Sequence, residues 1–155
     1  MNQKIRAVSS ADIEELKNVV DSSELFPSEY LDGMISDYFN NPATEEIWFT
    51  YVNDEKPVAI GYCVPEKLTL GTYNLLAIGV SRSSQGKGIA SEMMKYIEHL
   101  LRQKEGRILI VETSSSDAQI GARDFYKKIG YTKEAVIRDF WQDGEDKIVF
   151  RKKLR

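Results

Sequence analysis

The succession of apolar patterns along this 155-residue chain predicts a mixed α/β (α+β) fold. About seven strands would form a mostly antiparallel sheet with a parallel central pair, flanked by about four helices. Three observations carry that prediction. Residues 46–52 and 57–64 are strand-like runs joined by Asn53-Asp54-Glu55-Lys56, which reads as an antiparallel hairpin. Residues 75–80, a loop, a helical pattern and the apolar run 107–113 make a strand–helix–strand unit, and such crossovers are parallel and right-handed. Residues 131–141 and 147–152 flank Asp143-Gly144-Glu145 as a closing hairpin.

The remaining elements follow in order. Residues 4–8 alternate polar and apolar, as a short strand does. Ser9 with Asp12 resembles a capping box, and Ile13, Leu16, Val19 and Val20 give the helix behind it an apolar face. Pro27-Ser28-Glu29 opens a second helix with Tyr30, Leu31, Met34, Ile35 and Tyr38 turned inward. It stops at Asn40-Asn41-Pro42, where proline excludes helix continuation. Ile89, Met93, Met94, Ile97, Leu100 and Leu101 recur at helical spacing up to Gly106. The continuous apolar character of 107–113 predicts a strand buried on both faces. Ser114-Ser115-Ser116-Asp117 is loop. Ala122, Phe125, Tyr126 and Ile129 form the last helical face, and Gly130 fits its C-cap. No repeat or linker interrupts the chain, so residues 1–155 read as one domain.

Composition narrows the function classes. With 42% hydrophobic and 29% charged residues, the chain is an ordinary globular one. A net charge of −3 argues against a nucleic-acid partner. The single cysteine, Cys63, excludes an internal disulfide framework and suits a reducing compartment. No apolar run reaches the ~18 residues of a membrane span, and Met1-Asn2-Gln3-Lys4 does not lead into a signal-peptide apolar region. The expectation is a cytoplasmic protein without a membrane partner, as monomer or homodimer. No Cys/His cluster suggests a metal, Cys63 reads as core, and His99 as a helix-surface residue.

Chemistry concentrates between the strand at 75–80 and the helix at 89. The loop Ser81-Arg82-Ser83-Ser84-Gln85-Gly86-Lys87-Gly88 delivers the chain into a helix N-terminus, whose first N–H groups lack intrahelical acceptors and carry the positive end of the dipole. Two glycines let the backbone approach an anion closely. The pattern is not a nucleotide P-loop, because Lys87 precedes Gly88 rather than Ser or Thr. Nor is it a dinucleotide fingerprint: Gly86-x-Gly88 is followed by Ser91 where a third glycine is needed.

Gln85-x-x-Gly88-x-Ala90 does resemble the acetyl-CoA signature of the GNAT superfamily, the general N-acetyltransferases. The element order of that superfamily is the one read above over nearly the whole chain. Downstream, Ala122-Arg123-Asp124-Phe125-Tyr126-Lys127-Lys128-Ile129-Gly130-Tyr131 resembles its Ala-x-x-Leu-Tyr-x-x-x-Gly-Phe segment. Glu112-Thr113-Ser114-Ser115, Ile137-Arg138-Asp139-Phe140 and Asp146-Lys147-Ile148 are similar to an uncharacterised bacterial branch. The resemblance implies transfer of acetyl from acetyl-CoA to an amine, without a metal. It implies that Gln85, Gly86, Lys87, Gly88, Ile89, Ala90 and Ser91 hold the pyrophosphate, with Arg82 and Lys87 as candidate charges. It also implies that Ile78, Gly79 and Val80 face the pantetheine arm, with the Val80 N–H near the thioester carbonyl as an oxyanion donor. Gly79 in a strand interior marks either a bulge or a close approach.

By the same resemblance Tyr126 is the general acid and Arg123 and Gln119 are coenzyme contacts, Gln119 standing where the superfamily carries an asparagine. An ordinary tyrosine stays protonated at neutral pH, and its gap to a thiol is about 2 kcal/mol, so it is a modest donor to a departing thiolate. Asn74 occupies the position of the glutamate that several branches use as base. Glu112 is the substitute, similar to the strand glutamate of the ribosomal-protein alanine acetyltransferases. A structural role for Glu112, with proton loss through water, stays open beside it. The acceptor, a small-molecule amine or a protein amine, would meet an acidic surface of Glu24, Glu29, Asp32, Asp139, Asp143, Glu145 and Asp146, framed by Tyr30, Tyr38 and Trp141. A non-catalytic acyl-CoA-binding module and transfer of a longer acyl group are the competing expectations.

Overall fold

The structure is a computed structural model describing residues 4–155; Met1-Asn2-Gln3, on which the leader reading partly rested, lies outside the described residues. The elements are β1 (Ile5–Ala7), α1 (Ile13–Ser22), α2 (Leu31–Asn40), β2 (Ile47–Asn53), β3 (Lys56–Pro65), β4 (Thr72–Val80), α3 (Ile89–Gln103), β5 (Ile108–Ser114), α4 (Ile120–Lys128), β6 (Thr132–Gln142) and β7 (Glu145–Lys153). The strand order is β1-β2-β3-β4-β5-β7-β6. Only β4 and β5 pair in parallel among the pairings described here; β1–β2, β2–β3, β5–β7 and β6–β7 are antiparallel. The order of elements along the chain and the parallel pair are those read from the sequence. The main boundary difference is β4, which begins at Thr72 rather than Leu75.

The chain divides into two compact units, one of Met1–Val64 with Leu76–His99 and one of Pro65–Leu75 with Leu100–Arg155. In the first, α1 and α2 contribute Leu16, Val19, Val20, Leu31 and Ile35 to a core completed by Val8, Trp48 and Ile60. Tyr62 stacks on Trp48 with ring centroids 3.9 Å apart, and the buried indole N–H is satisfied by the Glu46 carboxylate at 2.9 Å. The turn into α1 is the expected one: Ser9 N–H donates to Asp12 Oδ2 at 2.8 Å. Arg6 grips the same carboxylate through two nitrogens, at 2.7 and 2.9 Å. Those Arg6 hydrogen bonds hold the Asp12 carboxyl below the usual range against the opposing effect of burial. Tyr30, expected inward, is exposed, because a 3-10 turn over Ser28–Tyr30 takes it off the apolar face of α2.

In the second unit Leu101, Leu109, Val111, Tyr126, Ile148 and Phe150 are buried. β5 corrects the sequence reading. Leu109, Val111 and Thr113 are buried, while the alternate residues are only half-buried. That second face has charged company, with Arg151 opposite Ile110 on β7, so it is not closed off from water. Gly130 ends α4 with φ +97°, the left-handed C-cap that the sequence anticipates.

Gly61 shows how tightly β2 and β3 pack. It lies opposite Phe49, and a Cβ there would fall 2.2 Å from Phe49 Cζ, inside the buried ring. Gly61→Ala should therefore destabilise the protein by about 1–3 kcal/mol, the usual range for overpacking, measured by denaturant unfolding. Unchanged stability would mean that the ring has somewhere to move.

Candidate acetyl-donor site

The segment between β4 and α3 is held at three points. Ser81 N–H donates to the Val58 carbonyl at 2.8 Å. Arg82 N–H donates to Ser22 Oγ at 2.7 Å, and Gln85 Nε2 donates back to the Val80 carbonyl at 2.9 Å. A 3-10 turn fills Arg82–Ser84. Gly86 and Gly88 then take φ +77° and +80°, a region open to glycine and strained for other residues. A Cβ at either would meet nothing within 4 Å, so the constraint is on the backbone and the space in front is open. The first bond into α3 runs from Glu92 N–H to the Gly88 carbonyl at 3.1 Å. Among the described residues the N–H groups of Gly86, Lys87, Gly88, Ile89, Ala90 and Ser91 have no backbone acceptor. The geometry is thus an anion cradle, with the positive end of α3 behind it.

The candidate charges stand differently. Lys87 is exposed and has no ion pair among the described residues. Arg82 is exposed and sits 3.7 Å from the Glu24 carboxylate, a loose surface pair of little energetic weight. On β4, Ile78 and Gly79 are half-buried and Val80 is buried. Gly79 is a close-approach glycine: a Cβ there would lie 2.9 Å from Ser23 Oγ and 3.1 Å from Leu25 Cδ2. The parallel pairs of β4 with β5 run from Thr72↔Ile108 to Leu75↔Val111. A cavity of about 410 Å³ touches the loop only at Ser81 and Ser83, being lined otherwise by α1 and the β2–β3 turn. It holds none of the proposed donor contacts at 85–91.

In the second unit, Tyr126 sits on α4 with its ring against Phe125, Tyr131 and Phe150. It is buried, and burial pushes its hydroxyl well above the ordinary tyrosine range. Among the described residues that hydroxyl has no hydrogen-bond partner. Glu112 is committed to an ion pair: Lys147 Nζ lies 2.6 Å from its Oε2, both side chains largely covered. The two are diagonal neighbours across β5 and β7, since Glu112 stands opposite Val149. The same ammonium lies 4.2 Å from the Phe140 ring centroid. Arg123 clasps the turn before α4, donating to the carbonyls of Ser114 and Ser116 at 2.6 and 2.8 Å. Gln119 is exposed at the N-cap of α4.

Several other candidates are engaged in the fold. Tyr38 donates to the Val8 carbonyl at 2.8 Å, and Trp141 Nε1 donates to the Thr113 carbonyl at 3.2 Å. Asp139 accepts from Gly144 N–H and Asp146 from Asp139 N–H, so both carboxylates brace the last hairpin. Cys63 is buried, its thiol pushed up to about 12 by desolvation, and His99 is exposed. The partner of Asn74 escaped sequence reasoning. Asn74 is buried and donates Nδ2 to Glu66 Oε1 at 2.8 Å, while its Oδ1 has no partner. No local pattern marks Glu66, because its meeting with Asn74 depends on strand pairing.

Comparison with known proteins identifies the architecture. Residues 14–131 match the acetyltransferase (GNAT) family. The chain belongs to that family. It is 23% identical over 150 residues to an uncharacterised N-acetyltransferase of Methanocaldococcus jannaschii, covering 96% of this chain and 90% of that relative. A solved protein assigned to the GNAT family, from Desulfovibrio desulfuricans, superimposes with TM-score 0.91 at 26% identity, covering 97% of this chain and 98% of that one. The Escherichia coli ribosomal-protein-S18-alanine N-acetyltransferase gives TM-score 0.77 at 16% identity, covering 97% and 92%. An aminoglycoside 6′-N-acetyltransferase solved with coenzyme A gives 0.80 at 16% identity, covering 99% and 98%. The last two likenesses concern the fold alone. Among the described residues no helix is long and apolar enough to cross a membrane.

The GNAT loop offers a direct check on its anchoring. Gln85→Met keeps the side-chain length and removes the donor to the Val80 carbonyl. It should cost about 1 kcal/mol and speed amide hydrogen exchange of residues 84–88. Exchange at the wild-type rate would show that this bond does not hold the loop.

Proposed function

We propose that this GNAT-family chain is one catalytic domain that moves acetyl from acetyl-CoA directly onto a primary amine. The observation that carries the proposal is the row of unengaged N–H groups from Gly86 to Ser91, opened by two left-handed glycines at the head of α3. These groups would bind the pyrophosphate, and Arg82 and Lys87 would add exposed charge. Ile78, Gly79 and Val80, beyond the last β4–β5 pair at Leu75, would bond the pantetheine arm. The structural likeness to an acetyltransferase solved with coenzyme A supports the same donor.

The amine nitrogen attacks the thioester carbonyl, forming the new C–N bond and an oxyanion stabilised by Val80 N–H. Collapse of this tetrahedral intermediate breaks the C–S bond, and Tyr126 protonates the departing sulfur and regains a proton from solvent. That hydroxyl is protonated at neutral pH, and burial raises it further, which makes it a weaker acid and confines its help to charge developing on sulfur. The proton lost by the amine goes to water. Glu112 serves better as a structural anion than as the base, because protonating it would break its 2.6 Å pair with Lys147. Gln119 and Arg123 would flank the coenzyme from the head of α4, Arg123 chiefly by shaping the turn. The relatives include enzymes named for a small-molecule and a protein acceptor, so the acceptor class is an amine of either kind. We place the protein in the cytoplasm.

A non-catalytic acyl-CoA-binding module is the second reading, favoured by Asn74 and by the Glu112–Lys147 pair, which leave no free carboxylate at either base position. Acetyl-CoA should raise the melting temperature, and an amine panel followed by free-thiol release should reveal turnover. Tyr126→Phe should lower kcat at least tenfold with little change in acetyl-CoA affinity, because its ring contacts survive. A thermal shift without turnover on any amine favours the binding module; unchanged kcat removes Tyr126 as the acid.

A further inference from the structure

The hairpin tip between β3 and β4 turns two leucines into solvent. Leu68 is fully exposed and Leu70 is 85% exposed, the two most exposed large apolar side chains among the described residues. Leu68 holds φ +66°, a left-handed conformation that is unfavourable for a leucine. The tip is braced all the same. Thr69 Oγ1 donates to the Glu66 carbonyl at 2.8 Å, and Glu66 N–H donates to the Thr72 carbonyl at 2.8 Å. Arg107 Nε donates to the Leu70 carbonyl. The loop thus holds both leucines outward, where water does not favour them.

The charge around them is positive, although the chain as a whole carries −3. Lys67 precedes Leu68, and Arg107 reaches the tip directly. Leu154 N–H donates to the Arg107 carbonyl at 2.7 Å. Leu154 is buried, and Lys153 and Arg155 on either side of it are both exposed. Lys104 lies just before Glu105, whose carbonyl would sit 3.2 Å from a Cβ at Gly71. All five cations are exposed, and none has an ion pair among the described residues. Against them stand Glu105 and Glu66, and Glu66 already accepts from Asn74.

We propose that this tip docks the protein on an anionic lipid bilayer, with Leu68 and Leu70 entering the interface and the five cations against the headgroups. Lipid fits better than the other anionic partners. Nucleic acid leaves the leucines unexplained, since residues 66–71 carry no aromatic ring on which a base could stack. An acidic protein needs about 800 Å² of shaped surface on this side, and two leucines on a hairpin offer much less. A bilayer needs no matching shape. It accepts apolar side chains at its surface, and its negative potential attracts lysine and arginine. The expectation of no membrane partner rested on the lack of an apolar span, and this contact needs none. Attachment through two side chains is reversible.

Vesicle co-sedimentation tests this with phosphatidylcholine alone and with phosphatidylcholine in which about a third of the lipid is phosphatidylserine. The wild type should partition onto the mixed vesicles at least tenfold more strongly than onto phosphatidylcholine, and about 0.5 M salt should release it. Leu68→Asp/Leu70→Asp and Lys67→Glu/Lys153→Glu should each weaken the partition about tenfold or more. All four positions are exposed, and circular dichroism checks that each variant is folded. A wild type that stays in the supernatant overturns the proposal, including one that binds an RNA or an acidic protein instead. Partition that is indifferent to the leucine pair, to the lysine pair or to phosphatidylserine overturns it as well.

Discussion

The functional reading depends on how the backbone leaves β4. Three hydrogen bonds, to the Val58 carbonyl, Ser22 Oγ and the Val80 carbonyl, fix residues 81–85 before the chain turns through two left-handed glycines into α3. Because the first helical acceptor is Gly88, six successive N–H groups stay available to a ligand. No side chain has to be placed well for this to work. A backbone cradle at a helix N-terminus would recognise an anion by geometry and dipole, without a fixed place for Arg82 or Lys87.

The titratable groups behind the proposed chemistry divide by environment. Tyr126 is walled by Phe125, Tyr131 and Phe150, and burial alone favours its neutral form. That keeps it protonated but also makes it a weaker acid than an exposed tyrosine. Glu112 lies one strand away in sequence order, yet its carboxylate is already matched by Lys147. Burial thus keeps the tyrosine neutral, while pairing occupies the glutamate. Asn74 adds a third case, a buried amide with one half bonded to Glu66 and the other half unsatisfied. Such a group costs stability unless something meets it.

Much of this was legible in the sequence because it rests on local rules. The α1 cap, the Gly130 stop, the hairpin turns and the strand–helix–strand order follow from periodicity and from residues that punctuate structure. The left-handed turn into α3 was legible because its signal is also local, two glycines between a strand and an amphipathic helix. What escaped depends on residues far apart in sequence. The 3-10 turn that exposes Tyr30, the half-wet second face of β5, and the contacts of Glu112 with Lys147 and Asn74 with Glu66 are all set by strand register or by chain entry angles. That Arg123, read as a coenzyme contact, also donates Nη1 to the Ser114 and Ser116 carbonyls is set by the same chain path.

The central claim is that the Gly86–Gly88 backbone binds the donor. Calorimetric titration of acetyl-CoA into wild type and Gly88→Val tests it most directly. A β-branched residue is strained at φ +80°, and its Cβ has no neighbour within 4 Å, so the substitution acts first on the loop backbone. The account predicts binding by the wild type and at least a tenfold loss in a variant that remains folded by circular dichroism. Equal affinity in the two proteins would contradict it.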